Sequence, residues 1–466
     1  MSMRINPILN ADSYKASHFL QYPPSTQVIS SYIESRGGRF SETVFFGLQM
    51  LIKEYLLQPI TREDIDEAEA LLTAHGLPFN REGWEYILRE YDGFLPLEID
   101  AAPEGSLIST HNALVQVRNT DPACAWLTSY IETSLLRAIW YPVTVASTSW
   151  YCRELIRNAL EATADDCSGL PFKLHDFGAR GTSSTESAAI GGLAHLTCFQ
   201  GTDTVAALLA ARRYYGEPMA GYSIPATEHS TITSWGRDGE QAAYANLLAQ
   251  FAKPGAIVAC VSDSWDLWHA IDSIWGDALK TTLEQSGGTL VVRPDSGDPV
   301  IIAPETIERL MARFGFTENS KGYRVLPPCV RVIQGDGIDP DSLAAILAEL
   351  QRRKLSVDNL AFGMGGALLQ HCNRDTQKFA MKASAACIHG EWRDVFKDPA
   401  TDPGKRSKPG RLALIRTEDG RYETIRLEQL QGRRNYLEPV YRNGDLLRDE
   451  PLSVIRERLV AQSGNA

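Results

Sequence analysis

In Arg293-Pro294-Asp295-Ser296-Gly297-Asp298-Pro299, the arginine ends the apolar run LVVR and the turn follows it directly. Proline stiffens the turn, an arginine fork grips phosphate through two N–H groups, and a carboxylate holds Mg²⁺ directly or through water. A plain turn with an internal Asp–Arg bridge would use the same residues. Phe362-Gly363-Met364-Gly365-Gly366 precedes the helical stretch ALLQHCNRD, and Gly335-Asp336-Gly337 follows VRVIQ. Paired glycines let backbone N–H groups approach a phosphate closely, although tight turns alone also need them. His229 follows Glu228, an acidic neighbour able to orient the imidazole and raise its basicity. No His-based metal spacing surrounds it. Arg180, Arg293, Arg374, Lys382, Lys397 and Lys405 fall in loops or at helix ends. Converged on one cleft, they would bind a polyphosphorylated sugar.

These groups need a scaffold, and the pattern over 171–374 supplies one. Short apolar runs lead into loops rich in Gly, Asp, Ser or Arg, followed by amphipathic stretches: FKLHD, HLTCF, IVACV, LVVR, VRVIQ and NLAFG are the six strand candidates. A βα series of this kind favours a parallel sheet. The reactive residues gather after the strands, the edge where a βα barrel carries its active site. An open doubly wound sheet would bind there too, but no topological switch point is evident, so a βα-barrel-like core is favoured. Ser183 with Glu186 suggests a capping box, 203–215 a helix stopped by Gly216, and Trp265, Trp268, Ile271 and Trp275 a helix face packed on the sheet. The catalytic domain is expected over 146–375. Residues 1–145 and 376–466, with helices at 63–75 and 81–91 and a hairpin around Glu418-Asp419-Gly420, are expected to form a second, α+β domain contributing to dimer and phosphate contacts.

With 466 residues the chain is longer than one ordinary domain of roughly 100–200. Its formal net charge of −12 argues against non-specific binding to nucleic acid or anionic membranes, so a polyanionic substrate must meet a local basic cluster. No apolar run approaches the length of a membrane span or leader, and a cytoplasmic location is expected. The eight cysteines are dispersed, which fits reduced, mostly buried thiols.

The strings NADSYKASHFLQYPPST, ETVFFGLQ, KLHDFGARG, GTDTVA, GYSIPATEHSTITSWG, SDSWD, RPDSGDP, RVIQGDG, AFGMGGALLQ and VFKDPATDPGKRSKPGRL resemble, in order over 10–411, the nicotinamide phosphoribosyltransferases, a type II phosphoribosyltransferase family. The resemblance implies condensation of nicotinamide with phosphoribosyl pyrophosphate (PRPP) to nicotinamide mononucleotide and pyrophosphate, with Mg²⁺, coupled to ATP hydrolysis through a phosphohistidine. It implies a homodimer with active sites at the interface. Phe177 and the partner subunit's Tyr14 would sandwich the pyridine ring, with Asp203 and Ser262 near its amide and Arg180 and Arg293 bracketing the pocket; Asp12, Ser223 and Arg331 would complete that pocket. His229 would be phosphorylated, oriented by Glu228 and Asp266. Asp295 would contact ribose or Mg²⁺, Gly335 and Asp336 the ribose, and Gly365 and Gly366 the 5′-phosphate. Arg374, Lys382, Lys397 and Lys405 would hold pyrophosphate or ATP phosphates. Mg²⁺ would be held mainly by pyrophosphate and water, with Asp266 and Asp295 as candidate ligands. The alternatives are a nicotinate-using enzyme of the same fold, against which Asp203 argues, and a non-catalytic binding or signalling homologue.

Overall fold

The computed structural model describes residues 6–401 and 406–462. The chain divides into two compact units: Met1–Ser147 with Arg212–Glu217 and Cys372–Ala466, and Thr148–Ala211 with Pro218–His371.

The first unit is built on a seven-stranded antiparallel sheet. Its spatial order is Glu391–Asp394, Phe379–Ile388, Thr26–Ser35, Ala113–Asn119, Leu97–Ala101, Glu438–Arg442, Asp445–Leu446. Tyr32, Ile33, Ile99, Val115, Val117, Met381 and Tyr441 are buried in one core with residues of the helices Arg62–Ala74 and Arg81–Glu90. Thr61 and Asp64 cap the first of these reciprocally. The hairpin Leu412–Arg416 with Tyr422–Arg426 turns through Gly420, whose φ of +83° suits glycine.

The second unit holds the parallel sheet. Its strands are β1 (Leu174–Asp176), β2 (Gly201–Thr202), β3 (Ile257–Val261), β4 (Thr289–Arg293), β5 (Val330–Gln334) and β6 (Leu360–Met364), in the order β2-β1-β6-β5-β4-β3. Every pair is parallel. Helices such as Thr185–His195, Glu240–Phe251, Pro299–Phe314 and Pro340–Arg352 connect them. The edge strands β2 and β3 do not pair with each other. Segment 222–227 lies against both instead: Tyr222 bridges Gly201 of β2, and Ala226 bridges Ala259 of β3. This irregular segment makes the sheet barrel-like, and it carries Ser223 and leads directly into His229.

Two local readings shift. HLTCF is no strand: the helix Thr185–His195 continues through its first residue, and the paired strand is the downstream Gly201–Thr202. Leu193, Leu196 and Phe199 are buried, so the apolar run serves helix packing. The N-cap is Ser184, which accepts from the Ser187 N–H, in place of Ser183.

Candidate active site

The carboxyl ends of the six strands place the reactive loops along one rim. After β1, Phe177 donates its N–H to the Met364 carbonyl of β6. Its ring lies against the backbones of Gly335 and Gly363: a Cβ added at those glycines would come within 3.3 and 2.1 Å of Cε2. No larger side chain fits under the ring at Gly363. Arg180 is exposed on the turn Ala179–Gly181. Gly178 and Gly181 meet the backbone of the next glycine loop, with added Cβ atoms 2.9 Å from the Gly365 carbonyl and 3.3 Å from Gly366 Cα. Only glycine permits this approach.

After β2, Asp203 is exposed and accepts a hydrogen bond from the Ser223 hydroxyl. The helix beyond starts at Val205. Asp203 and Ser223 are therefore joined across the seam of the sheet.

His229 opens the short helix His229–Thr233 after segment 222–227. Its Nε2 lies 3.0 Å from Asp263 Oδ1, and its Nδ1 lies 3.8 Å from Asp295 Oδ2. Asp263 follows β3 and is nearly fully buried, with 5% of its side chain exposed. Its other oxygen accepts the Asp295 N–H at 3.1 Å and the Ser296 hydroxyl at 2.6 Å. Arg293 Nη2 donates to Asp295 at 3.1 Å. One carboxylate thus ties the histidine to the RPDSGDP turn.

The orienters expected for His229 are engaged elsewhere. Asp266 Oδ1 caps the helix Leu267–His269, accepting from the N–H groups of Trp268 at 3.0 Å and His269 at 3.1 Å. Glu228 accepts from the Ser230 hydroxyl. SDSWD contains two aspartates, and spacing alone does not reveal which one turns toward the rim. Asp263 is the one that does.

Ser262 is also displaced from its expected task. It is fully buried, donating to the Cys260 carbonyl at 3.1 Å and accepting from the Trp275 indole at 3.1 Å. Trp275 stacks on Tyr244 with ring centroids 4.5 Å apart. Arg331 sits near the opposite, amino end of its strand. Its Nη1 donates to the carbonyls of Leu326, Pro327 and Val330, which makes it a clamp on that loop. Beside it, Lys173 Nζ donates to the carbonyls of Val357, Asp358 and Leu360, and burial pushes its pKa down to about 8.

After β5, Gln334 Nε2 donates to the Asp336 carbonyl at 2.9 Å, shaping the Gly335-Asp336-Gly337 turn, where Gly337 has φ +68°. After β6, Gly365 and Gly366 open the short helix Gly366–Leu369.

The first unit contains the remaining expected residues. Tyr14 is 56% exposed on the turn Ser13–Leu20, edge-on to His18 with Lys15 Nζ 5.3 Å from its ring centroid. Asp12 and Thr133 bond each other twice. Lys382 is lowered in pKa, first by burial and then by Arg36, Lys15 and Lys397, against the opposing pull of Glu132. Arg36 bonds Glu34 through Nε, while its buried Nη2 has no hydrogen-bond partner among the described residues. Sequence reading missed Arg36, although a cation after a strand and before Gly37-Gly38 was visible. Lys397 is tied to Ser407 by two hydrogen bonds, and Arg374 is exposed beside Asp375. Lys405 lies outside the described residues.

No helix among the described residues is long and apolar enough to cross a membrane. Residues 172–444 match the nicotinate phosphoribosyltransferase (NAPRTase) family, and 6–99 match the nicotinamide phosphoribosyltransferase N-terminal domain. A nicotinamide phosphoribosyltransferase of Xanthomonas campestris pv. campestris is 54% identical, covering 97% of each chain. One of Acinetobacter baylyi is 34% identical over 99% of this chain and 98% of its own. The crystal structure of nicotinate-nucleotide pyrophosphorylase from Pyrococcus furiosus shares the fold, with a TM-score of 0.65 at 15% identity over 100% of this chain and 97% of that one. With a family match across more than half its length and full-length relatives, the chain belongs to the nicotinate phosphoribosyltransferase family and is an enzyme of the pentosyltransferase class.

Proposed function

We propose that the protein condenses nicotinamide with PRPP to form nicotinamide mononucleotide and pyrophosphate in cytoplasmic NAD salvage. It acts as a homodimer with shared active sites, Tyr14 of the partner subunit completing the ring sandwich. The observation that carries this reading is a ring platform, Phe177, directly after β1, with an exposed carboxylate, Asp203, directly after the paired strand β2. The names of two full-length relatives support the same substrate.

The pyridine nitrogen attacks the anomeric carbon with its own lone pair as the C–O bond to pyrophosphate breaks, and the electron pair leaves with pyrophosphate. No proton moves, so no general base is required. What the protein supplies is orientation and cations for the developing negative charge. Arg180 and Arg293 flank the ring, Gly335 and Asp336 take the ribose, and Gly365 and Gly366 the 5′-phosphate. Lys382 and Lys397, joined by Arg36 and by Lys405, serve pyrophosphate or ATP.

The donors fit Mg²⁺: Asp295 offers a carboxylate beside Arg293, and an ion of this kind takes one or two carboxylates with phosphate oxygens and water. Among the described residues no group of three or more His, Cys, Asp or Glu is gathered to hold a metal alone. When bound, Mg²⁺ neutralises charge on the pyrophosphate. His229 takes the γ-phosphoryl group of ATP, releasing ADP, and water later hydrolyses the phosphohistidine. The test is one assay: nicotinamide or nicotinate with PRPP and Mg²⁺, with and without ATP, scored for mononucleotide. Turnover of nicotinate alone, or of neither pyridine, refutes the reading.

A further inference from the structure

One buried carboxylate at the rim is bonded to both loops that would read the pyridine, and the reaction described above gives it no task. Asp176, the last residue of β1, is fully buried. Its Oδ1 accepts the Gly178 N–H at 2.7 Å, and its Oδ2 the Thr202 hydroxyl at 3.4 Å. Its backbone carbonyl accepts the Asp203 N–H at 3.0 Å. Thr202 Oγ1 in turn accepts the Thr204 N–H at 3.0 Å, so the chain on both sides of Asp203 refers back to this residue. Asp176 and Thr202 are register partners in a parallel pair, which puts their side chains on one face of the sheet.

Phe177 is held in the same way. Its own N–H is bonded to Met364, and the next N–H to the Asp176 carboxylate. The helix Thr185–His195 packs closely on the carboxylate: a Cβ added at Gly192 would lie 2.9 Å from Oδ2. A carboxylate this deeply buried is costly without compensating bonds, and those it has run to the loops of Phe177 and Asp203.

We propose that Asp176 is a positioning residue that sets the separation between the Phe177 ring and the Asp203 carboxylate, and thereby the discrimination between a pyridine amide and a pyridine acid. This rests on the nicotinamide reading. The ring and its substituent form one rigid unit, so a site that recognises both must hold platform and carboxylate at a matching distance.

Asp176→Asn keeps the shape, and its Oδ1 can still accept from Gly178. Its Nδ2, however, can only donate where the carboxylate accepted, so the Thr202 hydroxyl must turn its proton away and the charge-assisted contact becomes a weaker, neutral one. Thr202→Val removes the same contact from the other side. Each variant should raise KM for nicotinamide and lower the nicotinamide-to-nicotinate ratio of kcat/KM, both by about tenfold, with kcat and KM for PRPP within about twofold. The double variant should be no worse than Thr202→Val alone, because that change already removes the contact that Asp176→Asn weakens, along with the acceptor for the Thr204 N–H. A parallel decline for both pyridines and PRPP with a lowered melting temperature makes Asp176 merely structural and overturns the proposal; so does an unchanged ratio in both folded variants. Failure of the nicotinamide reading shows separately, as absent wild-type turnover. Calorimetric titration of wild type and variants with nicotinamide and nicotinate then reads discrimination directly, and a wild type that binds neither overturns the proposal too.

Discussion

His229 and Asp263, on different elements and 34 residues apart, meet through Nε2 and Oδ1 at 3.0 Å. A carboxylate can only accept, so this contact places the ring proton on Nε2 and leaves the Nδ1 lone pair available as nucleophile. Asp263→Asn loses that preference for one tautomer. Incorporation of acid-labile label from γ-labelled ATP should slow by about tenfold to a hundredfold. Labelling at the wild-type rate would show that His229 does not depend on this carboxylate.

Removing the imidazole should have a sharper effect. His229→Ala is expected to abolish ATP hydrolysis while slow, ATP-independent transfer persists, because in the proposed reaction the histidine couples energy and does not attack the sugar. Undiminished phosphoryl-enzyme in the variant would contradict this.

For Asp203 the expected change is in selectivity. Two like charges about 4 Å apart repel by roughly 4 kcal/mol at an effective dielectric near 20, an upper range given Arg180 and Arg293 nearby. Asp203→Asn keeps the shape and can still accept from Ser223, so it should narrow the nicotinamide-to-nicotinate ratio of kcat/KM mainly by improving nicotinate. A constant ratio would leave the amide preference without a source.

The proposed dimer with shared sites would make complementation possible. Heterodimers assembled from Tyr14→Ala and Phe177→Ala subunits should regain about one site's activity per dimer, half that of the wild type, since one of the two sites then carries both aromatic rings. No recovery from well-folded mixtures would assign each site to a single chain.

Lys173 sets a pH dependence of stability. Its pKa falls from the ordinary 10.5 to about 8 in the folded state, chiefly through burial, so between those values the unfolded chain binds more protons. Stability then rises with pH across that window. Relative to Lys173→Met, the wild type should gain up to about 3 kcal/mol between pH 8 and pH 10.5, read from urea unfolding. A flat difference would mean that Lys173 titrates normally when buried.

The sequence carried the parallel sheet because apolar strands, reactive loops and amphipathic helices alternate with the periods that βα units require. Most of the rim was legible for the same reason: Arg293 ends a strand, and Asp295, Gly335 and Gly365 each lie within two residues after one. What was not legible depends on side-chain direction or long-range approach. Nothing local separates Asp263 from Asp266, marks Arg331 as bound to its own loop, or shows that Ser262 points away from the rim. HLTCF misled because buried helix and strand segments share one composition, and only packing decides between them.

Segment 222–227 constrains chain length as well as closing the sheet. A regular strand from Ser223 to His229 would climb about 20 Å and carry one of the two off the rim. Here three residues lie between the two bridges, one to Gly201 of β2 and the other to Ala259 in the middle of β3, so the segment passes directly from one edge strand to the other. Adding or removing a single residue within 222–226 would therefore shift Ser223 against Asp203 or His229 against Asp263, leaving no neighbouring loop to absorb the change. This short stretch is a spacer of fixed count, intolerant of insertion where surface connections of similar length normally accept it.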